Sequence, residues 1–190
     1  MTAAVVDDYQ HETEALAAST VAAVLALYAA LQAGALPPAV VVTAVAAVIA
    51  TANAAATTLA DVAVSAQIEA ATGAPAPPTG IAPSDDTERL ARAVATVFDD
   101  ADEPAEPAGM RLERLARSEP LEKGHAVTAE IVNRSAAVEG WTRRLDADPC
   151  ERCVRWAEDG RVFPKGHHFK RHYGCNCQAE IVTTERKPTP

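Results

Sequence analysis

The chain has 190 residues, of which 48% are hydrophobic, but alanine and valine dominate this fraction and aromatic residues make up only 4%. Such a chain buries little apolar area per residue, which excludes a large core and favours slender, closely packed helices helped by partners. The net charge of -9 is unevenly spread, because residues 1–88 carry nine acidic and no basic side chains, whereas residues 89–190 carry 17 of each.

Residues 1–72 are predicted to form an Ala/Val-rich helical hairpin. Apolar residues recur at helical spacing in both halves, and Gly34 followed by Pro37-Pro38 separates the two helices. The stretches 15–33 and 39–60 are also long enough to span a bilayer. Alanine inserts weakly and no Lys or Arg flanks either stretch, so a holin-like membrane hairpin is the less favoured alternative.

The middle of the chain is predicted to be helical after a break. Residues 73–84 are rich in proline and glycine and form an extended linker. In the helical segment 85–145, Asp85 and Glu88 have the spacing of a capping box. The acidic, proline-bearing stretch 99–109 is predicted to be a solvated loop.

A long central helix is predicted over residues 119–145, after a short helical piece at 111–117. Apolar residues from Leu121 to Leu145 follow near-heptad spacing, and Pro120 is tolerated in a first helical turn. Trp141 is interpreted as a core anchor where this helix meets the cysteine-containing module.

All four cysteines lie within 28 residues, as Cys150-x-x-Cys153 and Cys175-x-Cys177. Two closely spaced pairs about twenty residues apart are typical of a structural zinc site, in which thiolates hold the ion tetrahedrally. His172, three residues before Cys175, is an alternative ligand that replaces one late cysteine. We therefore predict that zinc is the cofactor of a module over residues 146–184.

This module is predicted to be a small α+β unit that contains a β-hairpin, followed by a tail at 185–190. Asp159-Gly160 is a turn dipeptide, residues 161–163 suit a short strand, and residues 178–184 suit a closing strand. The fold class is thus mainly α, with the N-terminal Ala-rich hairpin, the long central helix and the zinc-stapled end.

The sequence supports a catalytic role for the module less well than a structural zinc site. Redox chemistry at a C-x-x-C motif requires a thioredoxin-like βαβ unit, which the sequence lacks. A small metal-dependent nuclease could use His167 and His168, but these are more simply surface groups. His11 and His125 are isolated on helices and expected to face solvent. No other catalytic motif occurs, so we expect no enzymatic activity.

A locally basic surface is predicted around the module and could contact phosphate. The candidate interaction residues are Trp141, Arg143, Arg152, Arg155, Lys170 and Arg171.

The C-terminal segment resembles the phage Mu F-like minor head (minor capsid) proteins. Those proteins end in a C-x-x-C motif, a turn and an H-P-x-C-x-C box; here Cys150-x-x-Cys153 and Asp159-Gly160 precede His172-Tyr173-Gly174-Cys175-Asn176-Cys177. Tyr173 stands where the family usually has proline. Gly140-Trp141 is also similar to actinobacterial phage versions. The likeness is specific over residues 140–182 and only compositional before them.

The resemblance implies a structural role in a tailed bacteriophage. The protein would lie in the capsid interior of the virion at or near the portal vertex, act in head assembly and DNA packaging, and pass through the host cytoplasm during assembly. Its implied partners are the portal protein, the major capsid protein and packaged DNA, in a multi-copy assembly with no small-molecule substrate. Some relatives carry an enzymatic domain after the box, and we expect none here.

Overall fold

The computed structural model describes residues 2–99 and 107–184, and over these ranges the protein is mainly helical. Its elements in chain order, with labels used from here on, are α1 (Thr2–Gln32), α2 (Pro38–Thr72), α3 (Thr87–Asp99), α4 (Ala108–Arg134), β1 (Val138–Arg144), α5 (Glu151–Ala157), β2 (Phe163–Pro164) and β3 (Gln178–Thr183). A single 3-10 turn, Glu158–Gly160, follows α5.

The predicted N-terminal helical hairpin is confirmed as α1 and α2. Gly34 adopts the left-handed conformation with φ 69 and ends the first helix, and Pro38 occupies the first turn of the second. Gly73, with φ 66, ends α2. The first helix begins at Thr2, well before the apolar stretch at 15–33, because the segment that carries Asp7, Asp8, Glu12 and Glu14 continues the same helix.

The linker at 73–84 is non-helical, as predicted, but one buried carboxylate fixes its middle to α2. Asp61 accepts hydrogen bonds from the amide and hydroxyl of Thr79 at 2.8 Å, from the Gly80 amide at 2.7 Å and from the Ile81 amide at 3.3 Å. Burial alone would raise the pKa of Asp61, but these hydrogen bonds lower it below its ordinary value.

The capping box before α3 is only half formed. Asp85 accepts a hydrogen bond from the Thr87 amide at 3.0 Å, whereas Glu88 pairs with Arg92 one turn later instead of reaching back. Most of the predicted acidic loop at 99–109 lies outside the described residues; its last two residues already belong to α4.

The predicted helix over 119–145 is wrong at both ends. The 111–117 piece is continuous with it, so that α4 runs through Pro120 and stops at Arg134. The following residues form β1, whose alternating burial replaces the heptad-like pattern. Gly140 is a poor helix former, and here it lets the Phe163 carbonyl approach, since a Cβ atom at this position would collide with that oxygen.

The predicted β-hairpin is also wrong, although the closing strand is confirmed as β3. The sheet has the order β2-β1-β3. The central strand β1 pairs antiparallel with β2 on one side and with β3 on the other, so β2 and β3 are not paired with each other. Trp141 faces Phe163 on one side and Ile181 on the other. Residues 151–157, within the cysteine module, form a helix.

Two apolar clusters stabilise the fold. The hairpin core joins α1 and α2 to α3 and α4, and its buried members are Val24, Val41, Val45, Ala46, Ile49, Leu90, Val94, Leu112 and Ala116. The sheet core joins α1, α2 and α4 to the three strands, and includes Val64, Ile131, Trp141, Phe163 and Ile181. The predicted anchoring role of Trp141 fits this location, since it is 4% exposed and its ring stacks on Phe163.

Candidate metal centre

The predicted cysteine cluster forms where α5 meets the segment before β3. Cys150 caps α5 and Cys153 lies in its first turn, so the C-x-x-C spacing points both sulfurs to one side. His172, Cys175 and Cys177 approach from the opposite segment. All four cysteines are free, and Cys153, Cys175 and Cys177 are buried.

The five side chains form two overlapping groups of donor atoms. Cys150, Cys153 and His172 make the first group, and Cys153, Cys175 and Cys177 make the second; within each group all donor atoms lie within 4.8 Å of one another. The Cys153–Cys175 sulfur separation is 3.5 Å. Tetrahedral zinc with Zn–S bonds of about 2.3 Å places its sulfurs roughly 3.8 Å apart, so the spacing suits a shared ion.

His172 is oriented as metal-bound histidines usually are. Its Nε2 atom lies 3.2 Å from the Cys150 sulfur and 3.1 Å from the Cys153 sulfur. Its Nδ1 atom lies 2.8 Å from the Tyr173 carbonyl oxygen, which accepts a hydrogen bond from that nitrogen. This bond fixes the tautomer that leaves the Nε2 lone pair facing the sulfurs.

The thiols lie so close together that their pKa values shift in opposite directions. A hydrogen bond from Cys177 lowers the pKa of Cys175 to about 5, while the same contact and burial raise the pKa of Cys177. Burial and the Cys175 charge raise the pKa of Cys153 to about 12. One thiol therefore ionises readily, and its negative charge disfavours ionisation of a second thiol beside it. A bound divalent cation offsets this repulsion between thiolates.

A polar hub that the sequence did not reveal attaches the Cys175–Cys177 turn to α1. The Asn176 amide donates to the Gln10 carbonyl at 2.7 Å and accepts from the Thr13 hydroxyl at 2.8 Å. The Gln10 side chain donates to the Asn176 carbonyl at 3.2 Å. All three side chains are buried, so these hydrogen bonds help to dock the turn on the helical bundle.

The expectation that His125 faces solvent is wrong. It is 6% exposed, and its Nε2 atom donates to the Cys177 carbonyl at 2.8 Å, which attaches the same turn to α4. Burial lowers the pKa of His125 to about 4. A lone histidine on a helix carries no sequence signal for such a contact. His11 is exposed, as expected.

Two further bonds secure the module to the bundle. Arg144 of β1 forms a bidentate ion pair with Asp7 of α1, both contacts being 2.8 Å long. The amide of Ile181 in β3 donates to the buried Gln67 side chain of α2 at 3.0 Å.

The six predicted interaction residues divide into buried and exposed groups. Trp141 and Arg143 are buried and unsuited to contact a partner. Arg143 is 6% exposed, lies 3.9 Å from the centre of the Phe169 ring, and donates to the Lys170 carbonyl. The exposed residues are Arg152, Arg155, Lys170 and Arg171.

The residues considered for a nuclease do not assemble a second metal site in the described part of the chain. The His167 ring stacks on Phe163 with a centroid separation of 4.8 Å. Neither His167 nor His168 joins a group of metal-binding donors among the residues described.

Two helices, α1 and α2, are long and apolar enough to cross a membrane by length and composition alone. Both also contribute to the hairpin core together with the charged helices α3 and α4. Apolar length is therefore weak evidence here, because core helices satisfy the same test.

Comparisons with known proteins identify no family. No family model matches the chain, and no curated protein and no solved structure matches it either. The resemblance of residues 140–182 to the Mu F-like minor head proteins therefore stays a prediction.

Proposed function

We propose that the protein is a structural component of a tailed-bacteriophage head, of the Mu F-like minor capsid type, whose C-terminal module is stapled by one zinc ion. The observation that carries the proposal is the convergence of all the box residues. Cys150, Cys153, His172, Cys175 and Cys177, which carry the resemblance, meet in one cluster.

The donor set favours zinc among the common metals. Thiolates with one imidazole are soft and borderline ligands, which suit tetrahedral zinc and disfavour calcium or magnesium. Five donors for a four-coordinate ion leave no position for substrate. Such a closed site supports structure, whereas catalytic zinc keeps an open position.

The proposed ligands are Cys150, Cys153, Cys175 and His172. The short approach of His172 Nε2 to two sulfurs, with Nδ1 held by the Tyr173 carbonyl, favours the histidine over Cys177. Cys177 then remains a thiol that donates to the Cys175 sulfur. This choice revises the four-cysteine set favoured from the sequence.

Cobalt substitution tests the ligand set, because tetrahedral Co(II) thiolate centres absorb visible light with an intensity that depends on the number of sulfurs. We expect His172→Ala to weaken metal binding roughly 10-fold or more and to change the spectrum, and Cys177→Ser to preserve the spectrum. The opposite pattern assigns the fourth position to Cys177.

Two features support the head-assembly role. Residues 15–60 contain no charged side chain, so the exposed flank of the hairpin can contact portal or major capsid protein without desolvating charge. Four exposed basic side chains beside the metal centre, Arg152, Arg155, Lys170 and Arg171, can meet DNA phosphates.

Virion composition tests this role. We expect the chain in DNA-filled heads at a fixed copy number, measured by quantitative mass spectrometry of purified virions. Its absence from virions overturns the proposal. Changing the four exposed basic residues to glutamate is expected to reduce DNA retention by heads, whereas changing Arg92 and Arg134 on distant helix surfaces is the control.

A further inference from the structure

A cavity of about 190 Å³ lies between α4 and the segment that follows β2. Its inner wall consists of buried side chains from three elements, namely His125, Thr128, Val132, Trp141 and Ala179. Its rim is exposed and includes Ala129, Asn133 and residues 166–168. The cavity thus reaches from the surface to His125, whose Nε2 atom is bound to the Cys177 carbonyl, and no function described above uses it.

One polar atom in the inner wall lacks a partner. Since the Cys177 carbonyl can only accept, His125 donates through Nε2, and Nδ1 of the neutral ring presents a lone pair. Nδ1 is buried and has no hydrogen-bond partner among the described residues. A buried acceptor of this kind is costly unless a donor reaches it, and the adjoining cavity is the space from which one can come.

The remaining walls suit an aromatic ring. Trp141 and Phe169 both line the cavity, with their ring centroids 5.0 Å apart, and Phe169 also stacks on His125 at 5.3 Å. Offset and edge-to-face contacts with a further ring are favourable at such surfaces. An apolar cavity of about 150 Å³ is large enough for benzene, so the present one has room for a single substituted ring.

We propose that this cavity is a binding site for a small planar aromatic ring bearing one O–H or N–H donor. The ring packs against Trp141 and Phe169, and its donor binds Nδ1 of His125.

Phenol and toluene form a matched pair of probes, because they share size and shape and differ in the hydroxyl donor. A purely apolar cavity prefers toluene, since burying the phenol hydroxyl without a partner is unfavourable. A cavity with an unpaired hydrogen-bond acceptor binds phenol more tightly than toluene, by about fivefold for one net hydrogen bond. The affinities are measured by calorimetry on the full-length, reduced, metal-containing protein, with the shifts of the Trp141 indole signal locating the ligand.

Two variants define the site. In His125→Phe a planar ring that can pack against Phe169 is kept but the Nδ1 acceptor is gone, so we expect the preference to reverse in favour of toluene. Ala129→Phe, at an exposed rim position, fills the cavity and should abolish binding of both probes. Metal content and helical circular dichroism of both variants verify that the fold is retained.

The source of the ring is distinguished by a third probe, N-acetyltyrosine amide. Binding as tight as that of phenol identifies a tyrosine side chain of a docked chain as the ligand, and weaker binding identifies a free small molecule. The proposal is overturned if the wild-type protein prefers toluene, if it binds neither probe, or if Ala129→Phe leaves phenol binding unchanged.

Discussion

The helical hairpin of residues 2–72 and the C-terminal module both have little apolar area to bury, but they are stabilised differently. The module is taken from here on as residues 138–184, so that it includes β1. The hairpin brings small Ala and Val side chains close together in two long helices and adds α3 and α4 against them. The module has a short sheet and a seven-residue helix, and it brings together five side chains that could hold a metal ion.

This comparison shows which interactions can stabilise a chain that has few aromatic residues. Close helix packing yields many weak contacts spread over a long surface, so the hairpin tolerates the loss of any exposed side chain. A short sheet cannot collect enough such contacts, so hydrogen bonds, ion pairs and the proposed metal ion have to supply the remaining stability. Four variants, each with a matched control, test this contrast.

The largest effect is expected for Cys153→Ser, because this sulfur belongs to both groups of donors. Structural zinc contributes on the order of 10 kcal/mol, so residues 150–183 should lose their structure while α1 and α2 remain helical. Hydrogen exchange resolved by segment measures both regions at once.

The control for this variant is Val154→Ser on the same helix, where the side chain is half exposed. It should leave metal content and exchange unchanged. Equal loss of protection in the hairpin and in the module after Cys153→Ser would show that the two regions are not held separately.

A smaller effect, of about 3 kcal/mol, is expected for Ile49→Ala in the hairpin core. Ile49 is 0% exposed, so truncation removes apolar contacts and leaves a cavity that the packed helices fill only partly. Chemical denaturation of the full-length protein under reducing conditions measures the change. Val40→Ala, at a half-exposed position of the same helix, should change stability by less than about 0.5 kcal/mol.

Gly140→Ala should destabilise the sheet by about 2 kcal/mol through overpacking. The added methyl group would meet the Phe163 carbonyl and separate β2 from β1. Gly166→Ala is the matched control, because a methyl group there meets open space. If both variants unfold at the same thermal midpoint, the close contact between β1 and β2 does not contribute to stability.

The smallest of the four effects, about 1–2 kcal/mol, is expected for Asp61→Asn, which weakens the attachment of the linker. Since the folded-state pKa of Asp61 lies below its unfolded value, its contribution is complete above pH about 4 and is lost as the pH falls further.

Denaturation of wild type and Asp61→Asn across pH 3–7 should therefore show a stability difference that shrinks at the acid end. The control is Glu69→Gln, which removes an exposed charge from the same helix. A difference between wild type and Asp61→Asn that stays constant across this range would contradict the role of the ionised carboxylate.

Helical periodicity and cysteine spacing were sufficient to predict the hairpin and the cluster. They failed for β1, because Val138, Trp141 and Leu145 have helical spacing, and a register shift between Val138 and Gly140 breaks the alternation that would have indicated a strand. Only the pairing with the strands on either side determines the strand. Arg143 was misassigned for a related reason: a basic residue looks exposed in sequence, but Phe169 covers its guanidinium group.

The polar attachments could not be predicted because each joins residues far apart in the chain. Asn176 is separated from Gln10 by 166 positions, and His125 from Cys177 by 52. Local patterns contain no information on such pairs. Asp61 was missed similarly, since a single acid in an apolar helix does not show which backbone amides will surround it.

The most direct test of the shared metal ion is the metal content of the full-length protein purified under reducing conditions, measured by native mass spectrometry before and after chelation. We expect one zinc ion per chain, and loss of hydrogen-exchange protection in residues 150–183 when it is removed. A metal-free chain whose C-terminal module is equally protected with and without chelator would contradict it.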